Sequence, residues 1–189
     1  MTDPNESVWI EIEAENPWWT SKLNGFRWGP ESDDKTEYAI PELNALTDTG
    51  TSCIIGPSKP LNSIIGSILK TSDSVIIDSS WGYTFDCADK KKMPSFELLF
   101  GGYWMRVNTE DYVIDISEDK TTCTLCLMTG TEDDWILGDA YMRGWYSMHD
   151  LTNMKAGFHS IDTAKKPTPT KATSVPTKKL PNVTFDYQD

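Results

Sequence analysis

The sequence has no run approaching the ~18–20 apolar residues that a membrane-spanning helix needs, so it offers no helical membrane segment. Its opening, Met1-Thr2-Asp3-Pro4-Asn5-Glu6-Ser7, has neither a basic region nor an apolar stretch and is not a secretory signal. A chain entering the secretory route needs one, so either this chain stays in the cytosol or its true amino terminus lies upstream. Histidine is scarce: only His149 and His159 are present, and they are not spaced to complete a zinc site with Cys123-x-x-Cys126. No metal is expected. Basic residues are outnumbered, 17 Lys plus Arg against 29 Asp plus Glu. The resulting formal charge of -12 repels phosphate backbones, and no basic patch interleaves with aromatics, so nucleic acid is not an expected partner. Four cysteines, Cys53, Cys87, Cys123 and Cys126, are too few for a disulfide-dense scaffold and do not by count fix the redox compartment.

What is present suits one domain, or one domain and a tail: 189 residues, 38% of them hydrophobic. Three zones follow a short unstructured start at 1–7. From 8 to about 46 the chain is rich in Trp and acidic residues. Val8-Trp9-Ile10-Glu11-Ile12-Glu13 alternates with a period of two, the pattern of a half-buried strand. Asn16-Pro17, Asn24-Gly25 and Gly29-Pro30 signal turns, and Trp18, Trp19 and Trp28 among them read as packing residues. From about 45 to 160 short apolar runs recur every 10 to 15 residues, the rhythm of an all-β domain. Examples are Ser74-Val75-Ile76-Ile77-Asp78, Phe96-Glu97-Leu98-Leu99-Phe100 and Tyr112-Val113-Ile114-Asp115-Ile116. One segment breaks the rhythm: Leu61, Ile64, Ile65, Ile68 and Leu69 form one face of a short helix, with Pro60 tolerated in its first turn. Residues 163–189 are rich in Thr, Pro and Lys, with five Lys against Asp186 and Asp189, and read as a flexible tail. Asn5-Glu6-Ser7 and Asn182-Val183-Thr184 match the loose N-glycosylation pattern.

The sharpest chemical signal is Asp48-Thr49-Gly50-Thr51-Ser52. A carboxylate on a glycine-containing turn admits close approach of another backbone, because glycine removes the side chain that blocks it. The hydroxyls of Thr49, Thr51 and Ser52 can donate to the carboxylate and fix its orientation and charge. An ordinary Asx or Ser/Thr turn uses the same residue types, so the five residues alone leave both readings open. The acidic clusters Glu31 to Asp34 and Glu132-Asp133-Asp134 read as solvated loops, and Arg143 as a surface residue.

Downstream stand Trp135-Ile136-Leu137-Gly138-Asp139, then Tyr141-Met142-Arg143-Gly144-Trp145-Tyr146-Ser147-Met148-His149-Asp150 and Asn153-Met154-Lys155-Ala156-Gly157-Phe158. Taken with the Asp48 loop, this order resembles the carboxy-terminal lobe of pepsin-like aspartic proteases, the pepsin and cathepsin D family, over roughly residues 8 to 162. The resemblance implies a mainly β, mostly antiparallel and closed-barrel-like lobe with short helices. It implies that Asp48 is a catalytic aspartate and that Thr49 ties the two lobes' loops together through a buried hydroxyl. Thr51 would bond the outer oxygen of Asp48, and Gly50, Thr51 and Ser52 would line the substrate backbone. Ile136, Leu137 and Gly138 would support the loop from beneath, with Asp139 bonding nearby backbone. The family's one disulfide in this lobe points to Cys87–Cys126, with Cys123 as the alternative partner of Cys87. Cys53 stands where the family usually has an aliphatic residue and reads as a small buried hydrophobe. His149 stands where the family often has an aromatic residue and reads as packing.

The resemblance further implies a polypeptide substrate, no cofactor, and a secreted or lysosomal/vacuolar setting. Its chemistry takes two aspartates, and this sequence has one Asp-Thr-Gly. Met1 also stands close to the lobe's first strand, so the expectation is a partial sequence whose partner is a missing amino-terminal lobe. Two other readings keep the scaffold: a non-catalytic binding lobe, and a homodimer in which a second copy supplies the other aspartate. The departures at Thr47 and in the insert around 16–40 do not decide among them.

Overall fold

A computed structural model describes residues 7–15, 18–28, 36–80, 82–163 and 166–188. The start before Ser7, the Asn16-Pro17 and Gly29-Pro30 turns and the Glu31 to Asp34 cluster lie outside the described residues.

In chain order the elements are β1 (Val8–Glu11), β2 (Thr20–Trp28), β3 (Thr36–Thr47), β4 (Ile54–Pro57), α1 (Ser58–Leu69), β5 (Ile77–Ser79) and β6 (Gly82–Asp86). A 3-10 turn (Cys87–Lys92), β7 (Phe96–Phe100), β8 (Tyr103–Val107), α2 (Thr109–Tyr112), β9 (Val113–Asp115) and β10 (Thr122–Leu125) follow. The chain continues through β11 (Leu127–Thr131), β12 (Asp134–Leu137), α3 (Asp139–Met142), β13 (Trp145–Asp150), β14 (Lys155–Ser160) and β15 (Thr170–Lys171). The lobe is therefore mainly β with short helices, as the apolar rhythm of the sequence indicates.

Three sheets form, with strand orders β1-β14-β13, β5-β6-β10-β9 and β11-β4-β12-β3-β2-β7-β8-β15. Most pairs are antiparallel; β11 with β4 and β12 with β3 are parallel. The largest sheet runs from β11 at one end of its strand order to β15 at the other. β7 reads Phe96-Glu97-Leu98-Leu99-Phe100 and is buried at every position, because β2 and β8 flank it and both of its faces are covered. The run expected as one strand from Tyr112 to Ile116 divides instead. Asn108 donates its backbone N–H to Asp111 Oδ2 at 2.8 Å, a local bond that starts the single turn of α2 and delays the strand to Val113.

The apolar face of α1, Leu61, Ile64, Ile65, Ile68 and Leu69, is buried as its periodicity requires. The opposite side is also covered, since Ser63, Gly66 and Ser67 are buried too. The cover is the carboxy-terminal segment. Residues 163–189 read from composition as a flexible tail, but the described part, 166–188, runs across the lobe as a strap. β15 pairs with β8, Ala39 donates its N–H to Lys178 O at 2.7 Å, and Asp78 donates to Gln188 O at 2.8 Å. Phe185 packs edge-on against Tyr83, ring centroids 4.9 Å apart. Lys166 is 1% exposed, with Nζ 3.0 Å from Asp111 Oδ2 and 5.1 Å from the Trp145 ring centroid. Composition misled because the strap borrows its order from pre-existing strand edges and one helix face instead of building a core of its own.

Candidate active site

β3 runs up to Thr47, the chain turns through residues 48–53, and β4 carries it back. β12 lies between these two strands. It pairs in parallel with β3 (Ile136 opposite Leu46, Leu137 opposite Thr47) and antiparallel with β4 (Ile136 opposite Ile55, Leu137 opposite Ile54). The two sequence motifs, about 90 residues apart, are thus neighbours in one sheet. Backbone bonds clamp the loop onto the end of β12 and the start of α3. Asp48 N–H donates to Leu137 O at 3.1 Å, Gly138 N–H to Cys53 O at 3.2 Å, Asp139 N–H to Thr51 O at 2.8 Å and Ala140 N–H to Ser52 O at 2.9 Å. A side chain at residue 138 has no room: a Cβ there would lie 2.1 Å from Thr51 O. Gly56 is constrained similarly, since a Cβ would meet the ring of buried Trp135 at 2.4 Å.

The clamp presents Asp48 half-buried at the loop tip. Thr51 Oγ1 donates to Asp48 Oδ2 at 2.6 Å, and Gly50 N–H donates to Asp48 Oδ1 at 2.9 Å. Each carboxylate oxygen therefore has a donor, which fixes its plane. These two donors hold the Asp48 carboxyl below its ordinary pKa, Thr51 more than Gly50, while partial burial works weakly against them. Thr49, Gly50 and Ser52 are exposed and Thr51 half-buried. Thr49, expected to make a buried contact between two lobes, faces solvent in this single lobe.

The expected Cys87–Cys126 bridge is not the one formed. Cys87 pairs with Cys123, and Cys53 pairs with Cys126. The sheet register dictates this. Thr122 lies opposite Asp86 and Cys123 opposite Phe85, which brings Cys123 beside Cys87. Leu127 lies opposite Ile54, which brings Cys126 beside Cys53. Cys53, read as a small buried hydrophobe, instead anchors the downstream end of the Asp48 loop, where Ile54 N–H also donates to Cys126 O at 3.0 Å.

A cavity of about 410 Å³ opens beside the carboxylate, lined by Trp18, Trp19, Leu46, Thr47, Asp48, Thr49, Met142 and His149. From sequence alone the two indoles and His149 read as packing residues. Trp19 and His149 do pack on each other, ring centroids 4.4 Å apart, and partial burial lowers the imidazole pKa. Yet Trp18 is 62% exposed, far more than a core indole, and faces the same cavity as Asp48. The signal that finds these residues is strand register. Thr20 lies opposite Leu46, and Thr47 N–H donates to Trp19 O at 3.2 Å, so any residue just before β2 must sit beside the end of β3.

Comparison with known proteins agrees with this architecture. A family model described as Eukaryotic aspartyl protease matches residues 5–161. The chain is similar to aspartic protease 1 of Caenorhabditis elegans, at 30% identity over 155 residues, covering 80% of this chain and 36% of that protein. It is 29% identical over 161 residues to a vacuolar aspartic protease of Candida albicans, covering 79% and 34%. It is 29% identical over 155 residues to cathepsin E of Mus musculus, covering 79% and 36%. The chain thus spans about a third of the length of these relatives.

Proposed function

The chain belongs to the eukaryotic aspartyl protease family, and from that premise we propose that it supplies Asp48 as one of the two catalytic carboxylates of an aspartic-type endopeptidase. The observation that carries the reading is the state of Asp48. It sits on a loop clamped by β12, has a donor on each oxygen, and borders an apolar-walled cavity. A carboxylate so held keeps its charge in acid and is suited to accept a proton from water.

Hydrolysis then needs a second carboxyl close by. Two like charges at that distance share one proton. The ionised member acts as general base on a water, and the protonated member polarises the scissile carbonyl. The depressed pKa of Asp48 favours the ionised role. On this reading an amino-terminal lobe outside the given sequence supplies the second aspartate, in keeping with the chain's spanning about a third of its relatives' length. Gly50, Thr51 and Ser52 lie where a substrate backbone would run, and Ile136, Leu137 and Gly138 support them from beneath. Trp18, Trp19, Leu46 and Met142 favour apolar or aromatic side chains beside the scissile bond. The reading calls on no metal or organic cofactor. Two disulfides fit a secreted or vacuolar setting, where thiols are oxidised.

The test is an assay of residues 1–189 alone on denatured haemoglobin at about pH 3.5, with and without pepstatin, beside Asp48→Asn. No cleavage is expected. Pepstatin-sensitive cleavage that disappears in Asp48→Asn would overturn the single-carboxylate reading and make a dyad from two copies the better one.

A further inference from the structure

We propose that Asn182, on the carboxy-terminal strap, is an N-glycosylation site. The proposal rests on the secreted or vacuolar reading above. Asn182-Val183-Thr184 is the acceptor pattern, a loose sequence signal that by itself says nothing of whether the site can be reached. The strap removes that objection. Around residues 182–185 the chain is free of regular hydrogen-bonded structure, and burial alternates along it: Asn182 and Thr184 are exposed, Val183 and Phe185 half-buried. The inward pair sits on Gly66 of α1. A Cβ at Gly66 would lie 2.8 Å from Val183 O, 3.3 Å from a Val183 methyl and 3.1 Å from the Phe185 ring. In an extended chain residues i and i+2 share a side. Packing of Val183 and Phe185 against α1 therefore turns the Asn182 amide and the Thr184 hydroxyl together to solvent. These are the two groups that an oligosaccharide transferase must grip at once.

In the transfer, Asn182 Nδ2 forms a bond to the anomeric carbon of an oligosaccharide carried on a lipid pyrophosphate. The anomeric carbon–oxygen bond breaks, the lipid pyrophosphate leaves with the electron pair, and the amide gives up one proton. Asn182 is exposed and itself lines a groove with Ile40, Pro41, Pro60 and Leu180, so the product glycan rises from that groove. It also gives a strongly acidic chain a neutral, hydrated cover over the edge where the strap crosses β3 and α1.

The test uses the native protein from its source cells, alkylated before and after reduction, digested, and treated with peptide N-glycosidase in heavy-oxygen water. The peptide beginning at Leu180 is expected to carry the heavy label at residue 182, with all four cysteines protected from the first alkylation. In a secretory expression host, Thr184→Ala is expected to lose one glycan-dependent gel shift, Thr184→Ser to keep it, and both to melt with the parent. Protected cysteines with an unlabelled Asn182 would overturn this proposal alone. Free cysteines with an unlabelled Asn182 would overturn it together with the compartment reading.

Discussion

Asp48 titrates below an ordinary carboxyl chiefly because of one hydroxyl, that of Thr51, and secondarily because of the Gly50 amide. Thr51→Val removes the larger cause while leaving the shape of the loop, so the Asp48 pKa is expected to rise. Carboxyl-carbon NMR titration reads it directly, and an unmoved titration would contradict the assignment. Asp89 is a carboxylate held still more firmly. It is buried and accepts from Lys92, Ser74 and Ser72 and from the backbone of Asp73 and Ser74, with the Lys92 contact the strongest influence; its pKa lies far below the ordinary range. A depressed folded pKa stabilises above the unfolded value, about 4, and that stability is lost as pH falls through the folded value. Because the folded value is so low, Asp89 keeps its charge throughout the acid range in which the proposed chemistry operates. Asp89→Asn is therefore expected to cost about 2–4 kcal/mol at neutral pH and progressively less toward pH 2, read by denaturant midpoints across pH. Asp48 stands out in sequence only when its five-residue loop, open by itself to two readings, is joined to the Trp135–Asp139 motif about 90 residues on. Asp89 does not stand out, because its partners are set by the fold and not by neighbours in sequence.

At the scale of elements, the loop, β12 and the strap each make a claim. Gly138→Ala puts a methyl group against Thr51 O and is expected to cost about 1–3 kcal/mol. For a lobe of this size that lowers the melting temperature by roughly 2–4 °C per kcal/mol. The loop amides of 50–53 should show the largest loss of hydrogen-exchange protection. A melt equal to the parent's would mean that the loop yields to the methyl group and that the clamp does not hold it closely. The strap covers α1 and pairs with β8, β3 and β5. Truncation after residue 163 exposes those edges and is expected to cost about 3 kcal/mol from lost burial and the broken Lys166–Asp111 pair. The truncated lobe should also self-associate in sedimentation, as unpaired strand edges do. Helix α1 was legible because a 3.6 period is a local property. The strap was not, because its lysine and proline content describes a chain in water, whereas its order comes from edges formed far away in sequence.

For the whole molecule, one of the two disulfides, Cys53–Cys126, ties the downstream end of the Asp48 loop to the rest of the lobe, while Cys87–Cys123 joins the 3-10 turn to β10. Replacing Cys53 and Cys126 with serine frees a loop of 73 residues. The expected loss is about 4 kcal/mol in the chain-entropy picture, read by denaturant unfolding. The pairing was not legible in sequence: Cys123 and Cys126 are three residues apart, so loop entropy does not choose between them, and only the register of β10 and β11 does. The general architecture was legible because two ordered motifs joined by β-rich sequence constrain a fold far more than either alone. The measurement that bears most directly on Asp48 joins this lobe to the amino-terminal lobe of a two-lobed relative and follows acid proteolysis. The chimera is expected to cleave peptide bonds with pepstatin sensitivity, and Asp48→Asn to lower that rate by about 10²–10⁴-fold while both lobes stay folded. Cleavage that survives Asp48→Asn, or none from a folded and associated pair, would contradict the role given to Asp48.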